Sequence, residues 1–174
     1  AETAAGAGTE AEAQSSLGNC YLKGRGVERD YAQAVDWFEK AAAEGDSNAA
    51  LWHLAQCYAE GMGVEEDEAK AARRYEKAAK RGYTAAQTCL ACAYAQGRGV
   101  AQSYTMARRW FRKAAQKGDE LAQLELGRLY REGLGVPVDL SEAFTWFSKA
   151  AEKGLARAQV ELSMAYMGGL GVAE

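Results

Sequence analysis

The side chains of this chain best suited to chemistry are four thiols and one imidazole: Cys20, Cys57, Cys89, Cys92 and His53. Cys89 and Cys92 form a Cys-x-x-Cys pair on one helical face, the spacing of a dithiol or of half a zinc site. Zinc would need two further ligands, and the sole histidine lies far off in sequence. A Ser-His-Asp or Cys-His arrangement would have to centre on His53. That residue sits in the run Trp52-His53-Leu54 of a helical pattern, where an imidazole is more simply structural. No Ser-x-x-Lys occurs. The recurrent Gly-x-Gly follows helices rather than strands and never continues into Gly-x-x-Gly or Gly-Lys-Ser/Thr, so it does not build a phosphate loop. The carboxylates Glu65-Glu66-Asp67-Glu68 stand just before a helix start, where negative charge complements the helix dipole. They lack the alternating oxygens and central glycine of a calcium loop. The expectation is no catalytic set, no cofactor and no metal.

The bulk properties narrow the function classes. The 174 residues carry 21 Lys+Arg against 24 Asp+Glu, a net charge of −3, with both signs interspersed. No long basic block is available to track a nucleic-acid backbone. No run of 18 or more apolar residues would span a membrane. Cys20 and Cys57, which precede Tyr21 and Tyr58, are spaced too widely for a disulfide. Unpaired thiols favour a reducing compartment, while a signal peptide removed before Ala1 stays open.

The elements that hold these residues are set by a phrase that recurs along the chain: Gly24-Arg25-Gly26-Val27, Gly61-Met62-Gly63-Val64, Gly97-Arg98-Gly99-Val100, Gly133-Leu134-Gly135-Val136 and Gly169-Leu170-Gly171-Val172. The steps are 37, 36, 36 and 36 residues. A fixed period of this size denotes stacked supersecondary units, each burying its apolar face against its neighbours. Before each phrase runs a helix with Leu and Tyr four apart and a small residue after the Leu: Leu17-Gly18 with Tyr21, Leu54-Ala55 with Tyr58, Leu90-Ala91 with Tyr94, Leu126-Gly127 with Tyr130, Leu162-Ser163 with Tyr166. Ala13, Ala50, Ala86, Ala122 and Ala158 extend that stripe by a turn. After each phrase a second helix carries Trp37-Phe38, Arg74-Tyr75, Trp110-Phe111 or Trp146-Phe147, then Lys-Ala-Ala, and ends at Gly45, Gly82, Gly118 or Gly154. The valine of each phrase is expected as an apolar plug between the helices.

This order, A-x-x-x-L-G/A-x-x-Y-x-x-G-x-G-V followed by A-x-x-W-F/Y-x-K-A-A-x-x-G, resembles the Sel1-like repeat, a relative of the tetratricopeptide repeat. The resemblance implies an all-α, right-handed superhelical solenoid of about four and a half helix-turn-helix repeats. These run over 13–48, 49–84, 85–120 and 121–156, with a half repeat at 157–174. Arg74 departs from the pattern at a tryptophan position. Residues 1–12, with Ala4-Ala5-x-x-Gly8, read as the tail of a preceding repeat or as a linker, and the chain is expected to be a segment of a longer array. Its uncapped ends are candidates for self-association.

The family's implied role is that of a non-catalytic scaffold or adaptor for protein or peptide partners. Cysteine-rich members are associated with β-lactamase activity, which gives a weak hydrolase as an alternative reading. The missing Ser-x-x-Lys and the missing cysteine pairs about the helix turn count against it. A structural spacer is the other alternative. In tetratricopeptide-like folds the first helix of each pair lines the concave groove. The outward rungs of those helices read Ser15-Asn19-Leu22, Trp52-Gln56-Ala59, Thr88-Cys92-Ala95, Leu124-Arg128-Arg131 and Val160-Met164-Met167. Among them we single out Asn19, Trp52, Gln56, Leu124, Arg128 and Arg131. Trp52 is the one tryptophan outside the repeated slot, and no packing rule of the repeat calls for it. Asn19 and Gln56 form an amide ladder suited to extended peptide. Arg128 and Arg131 could hold a carboxylate or pair with Glu125 or Glu132.

Overall fold

A computed structural model describes residues 2–44 and 47–167. Among these the chain forms nine α-helices and no strand: α1 (Glu2–Lys23), α2 (Tyr31–Glu44), α3 (Asn48–Glu60), α4 (Glu68–Lys80), α5 (Thr84–Gln96), α6 (Tyr104–Gln116), α7 (Glu120–Glu132), α8 (Leu140–Glu152) and α9 (Ala156–Met167). The helix end expected at Gly45 and the fifth glycine phrase lie outside the described residues. Two compact units divide the chain. One comprises Ala1–Ala86 with Arg98–Val100, the other Gln87–Gly97 with Ala101–Glu174.

Helix boundaries follow from side-chain and backbone capping. Asp30, Ser47, Asp67, Ser103, Asp119 and Asp139 each accept a hydrogen bond from the backbone N–H three residues on, at 2.8 to 3.3 Å. This satisfies a donor that the first helical turn leaves unpaired. The Lys70 N–H so donated holds the Asp67 carboxyl below its ordinary range, and Glu68 places further negative charge in the first turn of α4. The first glycine of each of the four described phrases, Gly24, Gly61, Gly97 and Gly133, then closes the first helix in the left-handed region. The next N–H returns to the last turn, Met62 to the Cys57 carbonyl at 2.9 Å and Leu134 to the Leu129 carbonyl at 3.0 Å. The capping residue of the second helix donates its own N–H to the carbonyl of the motif tyrosine: Asp30 to Tyr21, Asp67 to Tyr58, Ser103 to Tyr94, Asp139 to Tyr130.

Packing within a pair depends on the small residue after the motif leucine. A methyl at Gly18 would lie 2.7 Å from Phe38 Cε1, and one at Gly127 would lie 2.6 Å from Phe147 Cε1. Phe38, Phe111 and Phe147 are the largest fully buried side chains, joined by Leu51, Leu54, Leu90 and Leu126. The tryptophans of the Trp-Phe slot sit further out. Trp110 and Trp146 are buried and Trp37 is half-buried. Each is roofed by the lysine three residues on, with Lys40, Lys113 and Lys149 Nζ 4.4 Å from the indole centroids.

Three expectations need correction. The valines Val27, Val64, Val100 and Val136 are half-buried and do not plug the interior. Ala13 is exposed while Ala50, Ala86, Ala122 and Ala158 are buried. In α1 the buried positions are instead Ala11, Ser15 and Gly18. The helix end read at Gly8 is absent, because α1 runs unbroken from Glu2 to Lys23. An interior glycine costs a helix only about 1 kcal/mol, and here the helix formers Glu10, Ala11 and Glu12 follow after Thr9.

The second glycine of the phrase makes the contact between successive repeats. A Cβ at Gly63 would collide with the backbone of Tyr31 and Ala32, one at Gly99 with the backbone of Glu68 and Ala69, and one at Gly135 would come 2.6 Å from the Thr105 nitrogen. Each of these is the start of the preceding repeat's second helix. Gly26, in the first repeat, has nothing within 4 Å of such a Cβ. Both Gly26 and Gly99 have positive φ, 75° and 65°. Gly26→Ala should therefore cost about 1 kcal/mol from the backbone angle alone. Gly99→Ala should cost about 1–3 kcal/mol more, because backbone must move. Urea unfolding of the two variants measures the difference, and equal midpoints would contradict the contact.

Candidate binding surface

The outward rungs of the first helices sort into columns with different fates. The first column is a packing column. Ser15, Thr88 and Leu124 are buried, Trp52 is half-buried, and Val160 alone is open, at 58% exposure. Leu124, expected on the recognition face, keeps 2% of its surface and cannot present itself to a partner. It forms the floor of the space between α7 and α9.

Trp52 also belongs to this column, so the repeat does have a packing use for it. Its indole lies 4.7 Å from the His53 ring and 6.1 Å from the Tyr83 ring, both tilted, while His53 stacks on Phe38 at 4.9 Å with 17° between planes. These four rings form one aromatic cluster within the first unit. Gln56 hydrogen-bonds His53, and the Asn19 carbonyl oxygen is buried without a hydrogen-bond partner. The expected amide ladder is thus half committed to the interior. Burial pushes the His53 pKa below 6.5, aided by Lys23 and opposed by Gln56. Burial likewise pushes the Cys57 thiol up to about 11, far from the thiolate that nucleophilic or metal chemistry requires. None of the four cysteines is in a disulfide, and among the described residues no three His, Cys, Asp or Glu side chains converge to hold a metal ion.

In the second unit, α7 and α9 enclose a cleft of about 200 Å³ lined by Leu124, Glu125, Arg128, Arg157, Val160 and Glu161. It brings Leu124 and Arg128 together, with Arg131 at its side. Arg128 faces Glu125 at 3.4 Å and Glu132 at 3.9 Å. Arg131 pairs with Glu132 at 2.9 Å and with Glu161 of the next repeat, and its guanidinium lies 5.7 Å from the Phe147 ring centroid. The Glu125 and Glu132 partners are those weighed from sequence. Glu161, thirty residues away from Arg131, carries no local signal, although its place one turn before the exposed Met164 marks the same helix face. The exposed large apolar side chains of α9, namely Val160, Met164, Tyr166 and Met167, were legible only in part, as the last rung.

Helix pairs that cap, close and stack by the same contacts in each repeat define an α-helical tandem-repeat protein. The family model for the Sel1 repeat matches residues 11–46, 48–83, 84–119, 121–155 and 156–174. The chain belongs to the Sel1 repeat family, whose members are generally protein–protein interaction scaffolds. Its fold is that of a protective antigen present in uropathogenic Escherichia coli strains, which displays the same repeat fold. The two share 38% identity and a TM-score of 0.90 over 94% of this chain and 35% of the antigen. It is similar too to a Sel1 repeat protein from Oxalobacter formigenes, at 32% identity and TM-score 0.87 over 94% of this chain and 67% of that one. The chain therefore spans about a third of the antigen's length. No curated protein matches it.

The depressed His53 pKa gives a stability test. The unfolded imidazole titrates near 6.5, so as pH falls the unfolded chain takes up the proton before the folded one. The stability contributed by the neutral ring is complete above that pH and is lost as pH drops through 6.5 toward the lower folded value. Since His53 is the only histidine, His53→Phe should flatten the fall in melting temperature between about pH 7 and about pH 5. An unchanged slope would remove His53 as the cause.

Proposed function

We propose that this chain is a non-catalytic scaffold that binds a segment of another protein on the outward face of its first helices, centred on the α7–α9 cleft. The observation that carries this reading is the composition of that cleft. An exposed apolar side chain, Val160, seated over the buried Leu124 is rimmed by Arg128, Arg157, Glu125 and Glu161. Such a rim can exchange its internal ion pairs for backbone and side-chain groups of a peptide, and exposed pairs of this kind hold each other by only about 1 kcal/mol or less. Arg128→Glu should leave melting temperature and circular dichroism unchanged and abolish capture of the native partner by the purified domain. Retention of the same partner by that variant would move recognition elsewhere.

A second reading rests on α9. Val160, Met164, Tyr166 and Met167 are exposed by 48 to 79%, whereas Leu124, Leu126 and Tyr130 of α7 are buried. An apolar face of this kind suits stacking against a further repeat or a second copy. Multi-angle light scattering over a range of concentrations should then show a dimer that Met164→Glu returns to monomer. A concentration-independent monomer would discard this reading.

A further inference from the structure

Helix α6 differs from the other second helices in its charge. Its sequence, Tyr104–Gln116, contains Arg108, Arg109, Arg112 and Lys113 and no acidic residue, in a chain whose net charge is −3. By contrast α2 carries Asp36, Glu39 and Glu44, α4 intersperses Glu68 and Glu76 among its cations, and α8 carries Glu142 and Glu152. Five cations elsewhere, Lys70, Lys80, Arg98, Arg128 and Arg131, are paired with carboxylates. Among the described residues none of Arg108, Arg109 and Arg112 is in an ion pair. Arg109 and Arg112 are exposed and Arg108 is half-buried, with its Nε out of solvent and without a hydrogen-bond partner. Together with Thr105, Met106, Lys113 and Gln116 they line a depression of about 430 Å³ along the helix.

A second orphan donor lies under the same surface. Trp110 is 6% exposed, and its Nε1–H is buried with no acceptor. The corresponding indole in α8, Trp146, donates to Glu142 at 3.0 Å. Four residues before Trp110 the chain has Met106 instead, so α8 displays the group that α6 lacks: a carboxylate beside the indole. Met106 is unbranched and flexible enough to give way to one.

We propose that the outer face of α6 is a docking site for an acidic segment of a partner protein. Its carboxylates meet Arg108, Arg109 and Arg112, and one of them accepts from Trp110 Nε1. The cations of α6 extend over only about 8 Å of helix, from Arg108 to Lys113. At the C-terminal end follow Lys117 and then Asp119 and Glu120. The continuous cationic stripe is therefore short, which suits a short acidic peptide better than a long polyanion such as a nucleic acid. Arginine is suited to the task because its planar fork grips carboxylates through two hydrogen bonds. This site is independent of the α7–α9 cleft, and neither depends on the other.

The test uses a fluorescein-labelled peptide of alternating glutamate and leucine, its glutamine counterpart, and a labelled oligothymidine, each titrated against the whole chain by fluorescence anisotropy. The glutamate peptide should bind and the glutamine peptide should not. Arg109→Gln/Arg112→Gln should weaken binding by about tenfold or more, while Lys23→Gln/Arg25→Gln, which removes the same charge elsewhere, should leave it unchanged. Met106→Glu supplies the missing carboxylate internally, so it should weaken peptide binding and raise the melting temperature. The proposal is overturned if the wild-type chain ignores the glutamate peptide, if both double variants bind it equally, or if oligothymidine binds more tightly than the peptide.

Discussion

The constraint on which the rest of this molecule depends is a contact of backbone on backbone. Where Gly63, Gly99 and Gly135 meet the first residues of α2, α4 and α6, the chains approach so closely that a single methyl group would not fit. A contact without side chains cannot adapt by choosing another rotamer, so it fixes the distance between one loop and the helix start before it. The period of the sequence follows. A residue inserted between one such glycine and the next would have to be absorbed without disturbing two backbone contacts, and only the first step, across Gly45 and Asp46, is longer than 36 residues.

With the spacing held by glycine, the side chains are released to divide the labour. Phe38, Phe111 and Phe147 fill the interior of each pair, the Ser and Asp caps set where helices begin, and the solvent faces are left to vary. That variation is large. Exposed first-helix positions include Arg128 and Met164, and the second helices range from the acid-rich α2 to the acid-free α6. A repeat of uniform architecture thereby offers chemically distinct surfaces, the physical basis for scaffold behaviour in proteins of this kind.

The sequence reading succeeded where the physics is local. The helices, their glycine ends and the helix start at Asp67 are specified by residues within a few positions of one another, and the repetition of each signal confirmed the period. The six capping residues were equally local and could have been read from an Asp or Ser placed before each helical run. Trp52 was read as a surface residue because it is the one tryptophan outside the repeated slot. Yet Leu124 in the same column already pointed to packing, since a buried position between unequal neighbours varies in identity while staying interior. The Arg131 pair with Glu161 and the unpaired state of the α6 arginines depend on which helices meet, and no spacing along the chain encodes that.

The lysine-roofed indoles have an optical corollary. Trp37, Trp110 and Trp146 each hold an ammonium group at the same 4.4 Å from the ring centroid, but the Trp146 indole N–H donates to a carboxylate, that of Trp110 has no acceptor and Trp37 is half-buried, so the three chromophores emit from unlike surroundings. Trp52 stands apart against an imidazole, a neighbour whose protonation alters its power to quench an excited indole. It is thus a built-in reporter on the state of a single ring in the first unit.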